Sequence, residues 1–218
     1  KSLCTTNLPD PTIADGSTYF DTLLYSGSGT STRSLTGLGF SPDFVWLKNR
    51  SINYAHNLYD IVRGVGANKS LISSGNFAEG YNDNDTFGYI SSLDSAGFSV
   101  VKGTDSTSYT NGSSSVYVAW AWDAGSSTVS NSDGSITSNV RANASAGFSI
   151  VSYTGNGTAG ATIGHGLNAV PGLLIVKNRS NFLTSPAWGV KHSGLYSNSG
   201  NWLELETSDS AVVEGAGS

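Results

Sequence analysis

"FVWLKNRS" at residues 44–51 and "LIVKNRS" at residues 174–180 are nearly the same phrase, and the lysines within them, Lys48 and Lys177, stand 129 residues apart. A chain that writes one strand and its exit twice folds as a duplicated unit, because recurrence at a fixed offset is the signature of repeated supersecondary structure. The match widens on both sides. "TGLGFSPDFVWLKNRS" (36–51) aligns with "HGLNAVPGLLIVKNRS" (165–180), placing Pro42 and Pro171 at one register. "LLYSGSG" (23–29) aligns with "VSYTGNG" (151–157) at nearly the same offset. Each proline precedes a continuous apolar run, as expected of a residue tolerated where a strand begins but not in its middle.

The runs "DFVWLK" and "GLLIVK" are apolar on both faces, the pattern of strands buried on both sides. Trp46, Leu47, Ile175 and Val176 are therefore expected in the core. Lys48 and Arg50 in the Lys-Asn-Arg-Ser that follows read as a charged strand end that blunts edge pairing rather than as ligand-binding residues. The first copy closes with "VYVAWAW" (116–122). Its period of two sets Val116, Val118, Trp120 and Trp122 on one face and Tyr117, Ala119 and Ala121 on the other, and Trp120 and Trp122 join the expected core. "SAGFSVV" (95–101) returns as "SAGFSIV" (145–151), and "GSSTVSNSDG" (125–134) has the composition of a linker. The predicted fold is all-β: an N-terminal arm (1–21), a β-sandwich repeat (22–126), a linker (127–134) and a second, incomplete sandwich repeat (135–218), of jelly-roll or lectin-like type. At the repeat offset, the counterparts of "GFSVV" and "VYVAWAW" fall at about 221–254, past residue 218. Without them, residues 173–176 would lack partners and be driven to pair with another chain. The expectation is that the polypeptide runs on or that a neighbouring subunit supplies the strands.

Composition narrows the function. Charged residues are 12% of the chain, against roughly a quarter in ordinary soluble proteins. Glycine accounts for 27 of 218 residues. This is the profile of a β-rich extracellular or virion protein with short strands and small polar turns. The net charge is -5, the pI is about 5.0 and no Lys/Arg cluster occurs, which argues against nucleic acid as a partner. No apolar run approaches the roughly 18 residues of a membrane helix, so membrane insertion is not expected. "KSLCTTNLPD" lacks the apolar core of a signal peptide. The single Cys4 leaves no internal disulfide and no cysteine-based zinc site.

Reactive groups form no motif. His56, His165 and His192 share no spacing, and neither H-E-x-x-H nor G-x-S-x-G occurs. Asp83 with Asp85, Asp105 with Asp123, and Glu204 with Glu206 are the carboxylate pairs that glycoside hydrolysis could use, but nothing in their spacing sets two of them face to face. "YNDNDTFG" (81–88) resembles a calcium loop loosely, without the glycine and glutamate that such a loop needs, and reads as a solvated turn. Asn-x-Ser/Thr triplets at Asn49, Asn68, Asn84, Asn111, Asn143, Asn156 and Asn178 follow from composition. No catalytic residue, metal or cofactor is expected. Sugar rings stack on aromatic faces, so Tyr54, Tyr59, Tyr81, Tyr89, Tyr196 and Trp202, near loops and strand ends, are the candidate contacts for a host-surface glycan.

The phrases "LCTTNLPDPTIADGSTYFDTLLYSGSG", "GLGFSPDFVWLKNRS", "VYVAWAWDAGSS" and "NSDGSITSNVRANASAGFSIVSYTGNGTAGATIGHGLNAVPGLLIVKNRS" together resemble a family of tandem β-repeat modules. Such modules occur in long structural proteins of tailed bacteriophages, notably marine ones, where the "LCTTNLPDPTI" stretch often follows a SPRY-like or lectin-like β-sandwich. The resemblance spans nearly the whole chain. It implies a virion tail-fibre or surface-appendage role in host attachment, with other virion subunits as partners and a homotrimer as the expected oligomer. It brings no catalytic residues. The rival readings are a secreted or cell-surface carbohydrate-binding or adhesion module and a fragment of a polysaccharide-degrading tailspike.

Overall fold

The computed structural model describes residues 13–81, 84–106, 108–180, 188–195 and 202–208. The chain is an all-β sandwich with added layers, built of short antiparallel sheets. In the first repeat, β1 (Phe20–Ser26), β3 (Phe44–Asn49), β4 (Asn57–Asp60), β5 (Leu71–Ile72) and β8 (Val116–Trp122) form a five-stranded sheet in the order β1-β8-β3-β4-β5. Facing it is a three-stranded sheet of β2 (Thr32–Thr36), β6 (Tyr89–Asp94) and β7 (Gly97–Val101), in the order β2-β7-β6. Between them lies the core: Leu35, Val45, Leu47, Tyr59, Ile90, Phe98, Val100, Tyr117, Ala119 and Ala121 are all buried. Each large apolar side chain here contributes about 1.5–3 kcal/mol by leaving water.

The alternation in "VYVAWAW" holds, but its sense is the reverse of a tryptophan core. Tyr117, Ala119 and Ala121 point into the sandwich, and Trp120 and Trp122 point outward, half-buried. β8 lies between β1 and β3, with Ala119 opposite both Leu23 and Leu47 and Ala121 opposite Val45. Small residues on β8 leave room in the core for Phe98 of the facing sheet and Tyr59 of β4, as close packing requires. Trp46 also lies on the outer face, half-buried, opposite Trp120 with ring centroids 6.3 Å apart.

Buried tyrosines organise one end of the sandwich. The rings of Tyr25 and Tyr117 stack at 4.9 Å. Tyr25 donates to the Thr110 carbonyl (2.6 Å), and Tyr117 donates to the Ser108 carbonyl (2.9 Å) while accepting the Gly112 N–H. Fully buried Asn111 closes the β1–β2 turn, donating to the Thr30 carbonyl and accepting the Ser28 N–H. Burial pushes the phenols of Tyr25, Tyr59 and Tyr117 above the ordinary tyrosine value of 10.0. The unfolded chain therefore loses protons above pH 10 that the folded chain keeps. Stability is complete below that pH and falls as pH climbs past it, each tyrosine adding up to about 1.4 kcal/mol per pH unit. Urea titrations at rising pH are expected to show unfolding and tyrosinate absorbance appearing together. Three phenols ionising while the sheet signal persisted would contradict this.

In the second repeat, β9 (Val129–Asn131), β10 (Ser138–Asn143) and β11 (Phe148–Tyr153) form one sheet, and β12 (Leu173–Lys177), β13 (Trp188–His192) and β14 (Leu203–Glu204) form another. β9 lies inside the stretch expected as a linker. Its serines and asparagines read as a turn, but pairing of Val129 with Val140 and of Asn131 with Ser138 makes it a strand. The two stretches that share a phrase also share a pairing register. β3 sets Trp46 opposite Leu58 and Val45 opposite Tyr59, and β12 sets Ile175 opposite Val190 and Leu174 opposite Lys191. β4 sets Leu58 opposite Leu71, as β13 sets Val190 opposite Leu203. Even the flanking bond recurs: Ile61 N–H donates to the Asp43 carbonyl at 2.9 Å, and Ser193 N–H to that of Gly172 at 2.8 Å. The Lys-Asn-Arg-Ser phrase is explained as well. Asn49 accepts the Ser51 N–H and Asn178 the Ser180 N–H, each closing the turn that ends its strand.

The two repeats are not side-by-side sandwiches. Trp188 packs with Leu58, Leu71, Phe44, Trp46 and Leu205, so the β12-β13-β14 meander lies on the outer face of the five-stranded sheet. Phe148 of β11 contacts Phe44 and Trp122 on that same face. Among the described residues the ion pairs Arg141–Asp43 and Arg179–Glu79, each at 2.8 Å, join the repeats. Ile175 and Val176, expected in the core, are 41% and 46% exposed. The reason is physical: β3 is covered by β8 along one edge and by the β2-β7-β6 sheet on one face, and among the described residues β12 has neither.

Candidate functional site

The sequence-expected aromatic contacts do not converge. Tyr59 is fully buried in β4, in the sandwich core, because its cross-strand partner is the core residue Val45; this corrects its assignment as a surface contact. Tyr89 is partly buried against the same core. Tyr54 packs against Tyr109 at 5.6 Å, and Tyr109 stacks on Phe87. Tyr81 is exposed and stacks on Phe77 at 3.9 Å. Trp202 is half-buried beside β14, and Tyr196 lies outside the described residues.

A concave aromatic site forms elsewhere, where the start of β1, the end of β8 and the β10–β11 turn meet. This open groove of about 540 Å³ is lined by Tyr19, Phe20, Asp21, Trp122, Gly147 and Phe148. Local sequence positions each part. Asp15 caps the short 3-10 turn Gly16–Thr18 by accepting the Ser17 N–H and hydroxyl, and those two bonds hold its carboxyl below the ordinary aspartate value. That turn delivers Phe20 to the first position of β1, opposite Trp122. The Phe20 and Trp122 rings lie 4.8 Å apart, and Phe148 stacks on Trp122 at 5.8 Å. Phe20 is 41% exposed. Gly147, at φ +69, lets the turn bring Phe148 into place. Just before β3, burial raises the Asp43 carboxyl above its ordinary value, against the opposing pull of Arg141 and the Ala124 N–H.

The groove offers ring surfaces with a carboxylate and hydroxyls on its rim, suited to stacking and hydrogen bonding. No histidine lines it. His165 and His192 each use Nδ1 to accept a backbone N–H, from Leu167 and Gly194 respectively. His56 is held below its ordinary value, chiefly by burial. Among the described residues no three His, Cys, Asp or Glu side chains gather as metal ligands. Glu206 accepts the Trp188 N–H. Asp85 opens the helical turn Asn84–Phe87 that replaces the calcium-like loop, and Asp83 lies outside the described residues. Lys48 donates to the Ile52 and Tyr54 carbonyls, the role of a strand end. Asn49 and Asn111 are fully buried within the fold.

Compared with known families, residues 15–217 match a domain of unknown function, DUF7483. The chain belongs to that family. No curated protein and no solved structure matches it. Within this DUF7483 domain, the groove residues Phe20 and Phe148 carried no sequence signal of their own. One hint lies in the repeated "SAGFS" phrase. Phe98 in the first instance is fully buried, whereas Phe148 in the second is half-buried and reaches across to the other repeat.

Proposed function

We propose that this DUF7483 domain is a non-enzymatic structural module of a bacteriophage virion, in a tail fibre or another surface appendage engaged in host attachment. The resemblance of its phrases to phage structural repeats supports the reading. The observation that carries it is the packing of the second repeat on the outer aromatic face of the first, through Trp188 and Phe148. Packing of one repeat on the outer face of the other supports a stiff structural unit. Antibodies raised against the domain are expected to label a fibre or tail appendage on purified particles and to block adsorption. Particles that carry no label would remove the reading.

The groove favours a second reading, a carbohydrate-binding or adhesion module, with a host-surface glycan stacked on Phe20 and Trp122. A glycan array showing defined hits that Phe20→Ala abolishes would support it. Release of oligosaccharide from host polysaccharide would instead favour a hydrolytic tailspike.

A further inference from the structure

Among the described residues Leu173–Val176 of β12 pair on one side only, and the other side has an internal template for its occupant. β3 and β12 are register-equivalent strands, each paired on one side with the next strand of its meander. On its other side β3 pairs antiparallel with β8, from Phe44 opposite Trp122 to Asn49 opposite Tyr117. Among the described residues nothing pairs with that side of β12. Its apolar side chains stand open, with Leu173 at 54% and Leu174 at 40% exposure, beside Val170 at 89%. Four consecutive open apolar residues along an edge that no described residue pairs are what natural sheets avoid unless the edge is used.

We infer that the edge of β12 is a strand-addition site whose occupant is an antiparallel segment with the chemistry of β8, small residues alternating with aromatic ones. The template fixes which side each kind takes. On β3, Ala121 and Ala119 lie opposite Val45 and Leu47, and Trp120 and Trp122 lie opposite Trp46 and Phe44. At the offset of 129, the occupant sets its small residues opposite Leu174 and Val176 and its aromatic residues opposite Ile175 and Leu173. Backbone pairing supplies the affinity, and this alternation supplies the selectivity. The site does not depend on the virion reading and holds whatever assembly the domain serves.

The test adds to the full chain a labelled peptide spanning residues 113–123, carrying a solubilising lysine tail. Expected are saturable binding by anisotropy and slowed hydrogen exchange at the amides of Leu173–Lys177. A peptide with Ala119→Glu and Ala121→Glu should bind at least about tenfold more weakly, since charges then face Leu174 and Val176; this control leaves the protein's own fold untouched. Protection at β1 instead of β12, equal binding of the charged peptide, or no binding would each overturn the inference. So would protection of β12 without peptide that disappears on dilution, because the occupant would then be a second copy of the chain.

Discussion

Replacing Trp188 with alanine is expected to lower stability by about 3–5 kcal/mol, the cost of emptying a large aromatic site in a packed interior. Trp188 is 3% exposed and sits among Leu58, Leu71 and Trp46 of the other repeat. Its indole N–H donates to the Ile72 carbonyl at 2.9 Å and to the Gly75 carbonyl at 3.2 Å. Lys177, its cross-strand partner, lies over the ring at 5.7 Å. Trp188→Phe keeps much of the buried ring area but gives up the N–H bonds and leaves a small void, so it should cost less, about 1–2 kcal/mol. Chemical denaturation gives the energies, and hydrogen exchange should show the β12-β13-β14 meander opening first in the alanine variant. A loss below about 1 kcal/mol for Trp188→Ala would mean that the two repeats do not share this core.

The second large effect is expected at Asp60. Asp60 and Arg63 are both about 5% exposed at the side chain and 2.5 Å apart. The Arg63 guanidinium is further held by Glu79 at 2.8 Å and by the Lys69 and Leu58 carbonyls. Asp60→Ala leaves a buried guanidinium N–H without its acceptor. Breaking one side of a buried pair costs about 3–5 kcal/mol, and because Glu79 remains, the low end is expected. The outer arm of the network is weaker. Arg179 is 38% exposed where it meets Glu79, so Arg179→Ala should cost no more than about 1 kcal/mol after solvent screening. Thermal unfolding of the two variants side by side checks the ranking, and equal losses would show that burial does not set it.

Much of the fold was legible in the order of residues. The duplicated phrases marked β3 and β12, the prolines marked where they begin, and the period of two in "VYVAWAW" separated its faces correctly. Asn49 and Asn178 close the same turn in both copies, so even the short Lys-Asn-Arg-Ser phrase carried structural meaning. These features are local. They depend on backbone conformation, alternation and side chains that bond within a few residues, all of which a sequence states directly.

Burial was not legible in the same way. Alternation says that Ala119 and Trp120 face opposite sides, not which side is the core. A core that also holds bulky Phe98 and Tyr59 needed the small side, and the tryptophans were left to a layer supplied from further down the chain, Phe148 on Trp122 and Trp188 on Trp46. Tyr59 looked like a loop aromatic and is core, whereas Ile175 and Val176 looked like core and are exposed. In each case exposure is decided by what packs across from a strand rather than by the strand. The groove of Phe20, Trp122 and Phe148 has the same origin: three residues far apart in the chain meet because one repeat folds onto the other's outer face, and no periodicity within either repeat encodes that contact.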